Sequence, residues 1–320
     1  MPNRKIRNSA LTAKIETTEG VDAVPTGAAN AVLLTELNVD PLDASNINRD
    51  LIRGFFGGSE QLVGPASVKA GFTVELAGSG TAATPPAFGA LLQACGMAEA
   101  ALTSPNRVEY TPVSTALKTA TMNYVDDGVL HKLLGSMGTM SLSAKVGERA
   151  TMKFDFIGQD GGISEGTVTP VYTAWKKPVA MTKANVVDIT IGCTYATGVL
   201  TGGTVYSSTG LEVALGNAVA FNALINQEFV DIADRDVTGK LMFKLSAAEE
   251  VAFAAIVKAN TTQSIGFTIG TVSGNKVIVF MPQVQLINYK KSEMNGNRMI
   301  SYDIRATPNT GNDEIRLIFV

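Results

Sequence analysis

Two segments 165 residues apart agree in kind at every position: Ala87-Phe-Gly-Ala-Leu-Leu-Gln-Ala94 and Ala252-Phe-Ala-Ala-Ile-Val-Lys-Ala259. In the first, Phe88, Leu91, Leu92 and Cys95 fall at i, i+3, i+4 and i+7, one apolar stripe of a short helix. Phe253, Ile256 and Val257 repeat it. Thr84-Pro85-Pro86 and Ser246-Ala-Ala-Glu249 supply start signals, the latter with capping-box spacing, and Gly96 and Asn260 stand where each helix should stop. The duplicate extends outward. Before the helices, Phe72, Val74 and Leu76 fall on one face of a strand, as do Leu241, Phe243 and Leu245. After them come strand-like runs broken by turn chemistry at Asp126-Asp127-Gly128, Gly147-Glu148, Ser273-Gly274-Asn275 and Asn295-Gly296-Asn297. Met152 to Phe156 matches Ile300 to Ile304, with Asp155 answering Asp303.

A duplication on this scale describes two domains and excludes a short-repeat solenoid. The expected architecture is mainly β: two tandem sandwich or barrel-like modules, each with one short flanking α-helix. Module A spans 30–160 and module B 186–308, joined by an extended crossover over 161–185 that Trp175 anchors on a module. Residues 192–209, with Gly202-Gly203 and many Thr and Ser residues, are expected to protrude from module B. The ends, 1–29 and 309–320, carry weak core signals and are expected to be arms. The apolar Ile318-Phe319-Val320 would then need a partner surface.

Little in the chain suggests chemistry. The sole histidine, His131, lies in a strand-like run and reads as a surface or boundary residue rather than a catalytic base. Gly270 to Lys276 resembles a phosphate loop only superficially, since it joins two strands and opens no helix. Asp126 and Asp127 could offer carboxylates to calcium, but Asp-Gly serves a hairpin turn for backbone reasons alone. No catalytic residue, cofactor or metal is expected. The net charge of −3 and an aromatic content of 7% do not suit a tight nucleic-acid binder. Cys95 and Cys193 stand in unlike settings without metal spacing, and both are expected to be free buried thiols of a protein made in a reducing cytoplasm. No apolar stretch is long enough for a signal peptide core or a bilayer span.

Charged residues make up only 17% of the chain, below the roughly 25% of an ordinary soluble domain, which suits a surface partly covered by neighbours. Phe55 and Phe56, set among glycines in the run from Arg49 to Pro65, are too apolar for a solvated loop; they either fold back on their own core or dock on another subunit. With the apolar strand residues inward, Thr73, Glu75, Ser141, Ser143, Lys153 and Asp155 in A face outward. So do Lys240, Lys244, Gln283, Gln285, Asp303 and Arg305 in B. Such faces are either ordinary solvated sheet or the wall of a water-filled passage that a polyanion can slide along.

The order of several segments resembles the tail tube proteins of siphophages. These are Thr17-Thr-Glu-Gly-Val-Asp-Ala-Val-Pro25, Asn48-Arg-Asp50, Gly71 to Gly80, the helix from Pro86 to Gly96, Tyr110-Thr-Pro-Val113, Asp127-Gly-Val-Leu-His-Lys132 and Ala174-Trp-Lys-Lys-Pro178. The resemblance implies a structural subunit of the virion tail whose sheets join across copies into a hollow tube for genome passage. Tape measure, tail terminator and tip proteins would be its partners, and double-stranded DNA would pass through transiently, with no membrane involved. Six modules per ring are usual in such tubes, so a two-module chain favours three copies per ring over six. Contacts between subunits are then expected at Arg4, Lys5 and Arg7, at Arg53, Phe55 and Phe56, and at Trp175. Lumen-facing positions would be Glu75, Ser141, Ser143 and Asp155 in A, with Gln283, Gln285 and Asp303 in B. Other phage tail or head-completion subunits, or a β-sandwich adhesin or carbohydrate-binding module, are the alternatives; the single Trp, in a crossover, is a poor sugar platform.

Overall fold

The computed structural model describes residues 3–320; Met1 and Pro2 of the expected N-terminal arm lie outside the described residues. Module A comprises β1 (Ser9–Ile15), α1 (Gly27–Asn30), β2 (Ala31–Val32), β3 (Glu36–Ile47), β4 (Leu62–Glu75), α2 (Gly89–Ala94), β5 (Met97–Thr103), β6 (Asn106–Pro112), β7 (Ala120–Asp126), β8 (Val129–Lys145) and β9 (Thr151–Glu165). Module B comprises β10 (Val186–Ile191), β11 (Thr194–Ala196), β12 (Val199–Thr201), β13 (Thr204–Val205), β14 (Ser208–Ala214), β15 (Asn217–Leu224), β16 (Gln227–Arg235), β17 (Thr238–Phe243), α3 (Ala247–Lys258), β18 (Thr262–Ile269), β19 (Val277–Met294), β20 (Asn297–Ala306) and β21 (Arg316–Phe319). The chain is mainly β and forms large antiparallel sheets, open at their edges, in a sandwich.

The two modules repeat one pairing scheme. β4 pairs with β9 so that Phe72 faces Phe154 and Gly71 faces Asp155; β17 pairs with β20 so that Leu241 faces Tyr302 and Lys240 faces Asp303. Next come β8 beside β9 and β19 beside β20, then β7 on β8 and β18 on β19, then β1 on β7 and β10 on β18. The apolar alternation explains the sidedness. One face of β4 and β9 buries Phe72, Phe154 and Phe156, stacked with centroids 5.7 and 5.9 Å apart from Phe72. In B the matching positions hold Leu241, Tyr302 and Ile304, and on the same face Phe243 and Tyr302 pack with Phe253 of α3, while Tyr206 packs on Phe243 and Phe253. Each such buried side chain contributes about 1.5–3 kcal/mol.

The second helix starts as its capping box requires: Ser246 Oγ accepts from the Glu249 amide and the Glu249 carboxylate accepts from the Ser246 amide. The first departs from expectation. It begins at Gly89 after Phe88, with no side-chain cap, and Thr84 instead closes a turn on Thr81.

Both ends of the chain are structural strands where arms were expected. β1 buries Leu11 and Ala13 and runs antiparallel to β7 from Ser9 to Ile15. β21 is buried and lies between β6 of module A and β19 of module B, so Ile318 and Phe319 find their partner surface inside the chain. Residues 192–209 hold short strands where a loop or hairpin was expected. They form the small β11–β12 hairpin and β13, pinned by Tyr195, whose hydroxyl donates to Glu109 at 2.6 Å and whose ring lies 5.7 Å from Phe280. The crossover starts later than expected, since β9 runs on to Glu165. Trp175 then anchors it on module A, its indole N–H donating to the Ala31 carbonyl at 2.9 Å and its ring 6.1 Å from Phe88.

Cys95 and Cys193 are both free and buried, and burial pushes each thiol above its ordinary pKa. Native protein should therefore leave both thiols unreactive toward Ellman's reagent at pH 8, with both titrating once denaturant is added. Fast reaction of either thiol in the native state would contradict the packing.

Candidate functional site

The polar positions of the two modules come together on a single surface because the module sheets are fused. β14 of module B pairs with β8 of module A, from Gly210 opposite Lys145 to Ala214 opposite Ser141. Gly210 makes this approach possible: at φ +118° a Cβ there would lie 1.9 Å from the Ala144 carbonyl oxygen. The result is one eight-stranded antiparallel sheet in the order β3, β4, β9, β8, β14, β17, β20, β19.

Because facing residues in a sheet share a side, the pairings assign the outward face directly. Thr73 and Glu75 lie beside Lys153 and Thr151; Lys153 and Asp155 lie beside Ser141 and Thr139, and Ser143 beside Thr151. Glu212 stands opposite both Ser143 and Lys240, Lys240 opposite Asp303, and Arg305 opposite Gln285. Of the residues expected on such a face, Glu75, Ser141, Ser143, Asp155, Gln285 and Asp303 are brought together here. Gln283 sits just past the end of β20, where its side chain donates to Asn309 and its carbonyl accepts from the Thr307 amide. Charge of both signs is interleaved and locally paired: Lys153 with Asp155 at 3.0 Å, Lys145 with Glu212 at 2.5 Å, Arg149 with Glu75 at 3.1 Å and Arg305 with Asp236 at 2.9 Å. Exposed pairs of this kind add little stability; their effect is a surface with no sustained positive field for a phosphate backbone to grip.

The sheet has two unfilled edges. At one end β3 is paired only with β4. At the other, the last part of β19, Lys290 to Met294, is paired only with β20. The hairpin of β3 and β4 also carries a run of exposed apolar side chains: Phe55 is 70% and Phe56 107% exposed, and Leu51, Ile52, Leu62 and Val63 are exposed as well. The phenylalanines thus do not fold back on their own core. Arg53 and Arg49 share Glu60 across the loop, which holds the tip together.

Module B has a counterpart to that hairpin which the sequence pattern did not reveal. Gly216, in the left-handed region at φ +66°, turns the chain out of β14 into β15–β16. This hairpin lies on module A: Asn217 Nδ2 donates to the carbonyls of Cys95 and Gly138 at 2.7 and 2.9 Å, and Gln159 Nε2 donates to the Glu228 carbonyl at 2.8 Å.

The other expected contact residues lie elsewhere. Arg4 and the Lys5 amide bind Asp126 and Asp127 at the β7–β8 turn of their own chain, and the Lys5 amide and Asn8 bonds hold Asp127 below the usual carboxylate range. Those aspartates are therefore committed to tying down the N-terminal segment. Arg7 is exposed. Trp175 is half-buried and held within the chain as described above. His131 lies on β8 with its ring stacked on Tyr124.

A family model described as Phage tail tube protein matches residues 6–316. No curated protein matches the chain.

Proposed function

This chain belongs to the phage tail tube protein family and is a structural component of the virion tail; from that premise we propose that it polymerises into stacked rings forming the hollow conduit of a long, non-contractile tail. Three chains close each ring. The observation that carries this reading is the fused eight-stranded sheet, with four equivalent strands from each module, a polar face and an open edge at either end. A head-to-tail contact between unlike edges closes into a ring when its rotation divides a full turn. Three copies of the sheet, at strand spacings of about 4.8 Å and a tilt of about 40°, enclose a backbone cylinder roughly 45–50 Å across, enough to pass duplex DNA with water on all sides.

The polar face then lines the passage, with Glu75, Ser141, Ser143, Asp155, Gln285 and Asp303 toward the lumen. Its mixed, paired charges let DNA pass without the multiple phosphate contacts that would hold it. The exposed hairpin carrying Arg53, Phe55 and Phe56 contacts another subunit, and Arg7 remains free for contact between rings. Tape measure protein inside the tube, and terminator and tip proteins at its ends, are the partners such a tube needs. No helix is long and apolar enough to cross a membrane among the described residues.

Electron microscopy of the purified protein tests this. Hollow tubes are expected, with threefold symmetry and a pseudo-sixfold outline in cross-section. Six chains per ring would overturn the trimer, and a protein that stays monomeric at high concentration would overturn polymerisation itself.

A further inference from the structure

The internal joint between β14 and β8 is a template for the joint between copies. We propose that β3 of one copy adds to the end of β19 in the next as an antiparallel strand, with Asn38 facing Ser292 and Asp40 facing Lys290. This joint presupposes the ring-forming subunit proposed above and assigns the residues that close it.

The register follows from the repeated pairings. Gly71 and Lys240 are equivalent, since each faces the matching aspartate, Asp155 or Asp303. Asn38 faces Gly71 and Glu212 faces Lys240, so Asn38 and Glu212 are equivalent, and two residues on so are Asp40 and Ala214. On the receiving side Ser141 faces Lys153 while Lys290 faces Ser301, and Ser143 faces Thr151 while Ser292 faces Met299. Lys290 and Ser292 therefore occupy the places of Ser141 and Ser143, which in the internal joint face Ala214 and Glu212. Transferring that joint gives Asn38 opposite Ser292 and Asp40 opposite Lys290.

Three further observations fit a second copy as the occupant. β3 is long, exposed along most of its length and without a partner on its outer side, an edge that soluble proteins normally blunt or cover. Its charges are acidic, at Glu36, Asp40 and Asp43, the last paired with Lys69 of its own chain, whereas the receiving segment carries Lys290 and Lys291, the second paired with Glu250, ahead of Glu293. Neither Asp40 nor Lys290 makes an ion pair within the chain among the described residues, whereas the internal joint holds its own pair, Lys145 with Glu212. The hairpin beyond β3 would then lie over the next subunit's β19 and β20, as β15–β16 lies over β8 and β9.

The internal joint also specifies the spacing. The Leu215 amide donates to Met140 and the Val146 amide to Thr209, which makes the intervening even-numbered positions of β14 non-hydrogen-bonded pairs with Cα atoms about 4.5 Å apart. Asn38 and Ser292 inherit that class, within reach of a disulfide. In assembled N38C/S292C protein a mild oxidant should give a non-reducing gel ladder ending at three chains, while N38C/K291C, one position out of register, should cross-link at least tenfold less. The native thiols are buried and do not compete. Independently, D40K should raise the concentration needed for assembly about tenfold by placing like charges opposite each other, and D40K/K290D should restore it. Tubes that form normally without selective cross-linking or rescue would overturn this joint and leave the ring intact. Wild-type protein that never assembles would overturn both.

Discussion

Replacing both exposed phenylalanines, as F55S/F56S, should abolish tube formation at concentrations where wild-type protein assembles, while leaving the subunit as stable as before. The two rings contact nothing in their own core, so removing them should change the unfolding free energy by no more than about 0.5 kcal/mol, as for other surface substitutions. In the proposed tube they would be buried against another copy. Covering a phenylalanine side chain is worth about 1.5–3 kcal/mol, so each subunit contact would lose about 3–6 kcal/mol, a factor of roughly a hundred to ten thousand in affinity. In the proposed rings the loss would recur at every subunit contact. Sedimentation and negative-stain microscopy across a dilution series read assembly, and a thermal melt of the same sample reads folding. Tubes at the wild-type threshold would show that the hairpin is not an assembly contact. Loss of tubes together with a lowered melting temperature would show that the phenylalanines support their own module instead.

What could be read from the sequence depended on how far apart the interacting residues lie. Alternation in Phe72-Val74-Leu76 and Leu241-Phe243-Leu245 is local and fixes which face is buried, so the duplication, the two helices and the polar face were legible. Partners distant in the chain were not. β21 consists of four residues whose neighbours are β6, about two hundred positions earlier, and the start of β19; alone, Leu317-Ile318-Phe319 shows only that it needs a cover. β1 is similar, its alternation weak because Leu11, Thr12 and Ala13 are all buried between β2 and β7. The segment 192–209 read only as a loop or hairpin, because its Thr and Ser residues hide the three side chains that pin it, Tyr195, Leu200 and Tyr206. β15–β16 turns through Ile225-Asn226, which carries no glycine to mark a tight hairpin. The fusion of β14 to β8 left one trace, a glycine at position 210, and only the neighbouring Ala144 carbonyl explains why glycine is needed there.

Removing the carboxylate of Glu109 should destabilise the subunit by about 3–5 kcal/mol, the usual consequence of leaving a buried cation without its partner. Glu109 lies on β6, only 7% exposed, and gathers three donors from three parts of the chain. Arg107 Nε reaches it at 2.5 Å, Arg316 Nη1 from β21 at 2.9 Å and the Tyr195 hydroxyl from β11 at 2.6 Å, with the Arg316 guanidinium 5.2 Å above the Tyr195 ring. These bonds tie module A's β5–β6 hairpin to the last strand and to module B, so their loss loosens the second connection between the modules. Burial alone would raise the Glu109 pKa, but the bonds from Tyr195 and Arg107 and the charge of Arg316 outweigh it and hold the carboxyl below its ordinary value. Burial and the Glu109 carboxylate push the Tyr195 phenol up to about 12, so it remains a donor at neutral pH. Because the folded pKa is the lower one, the stabilisation is complete above the unfolded carboxyl value near 4.3 and fades as pH falls through the folded value. Denaturant melts of wild type and E109A should therefore differ most at pH 7 and draw together as the pH falls below the unfolded carboxyl value. A gap that stayed constant over that range would mean that Glu109 acts by filling space rather than by its charge.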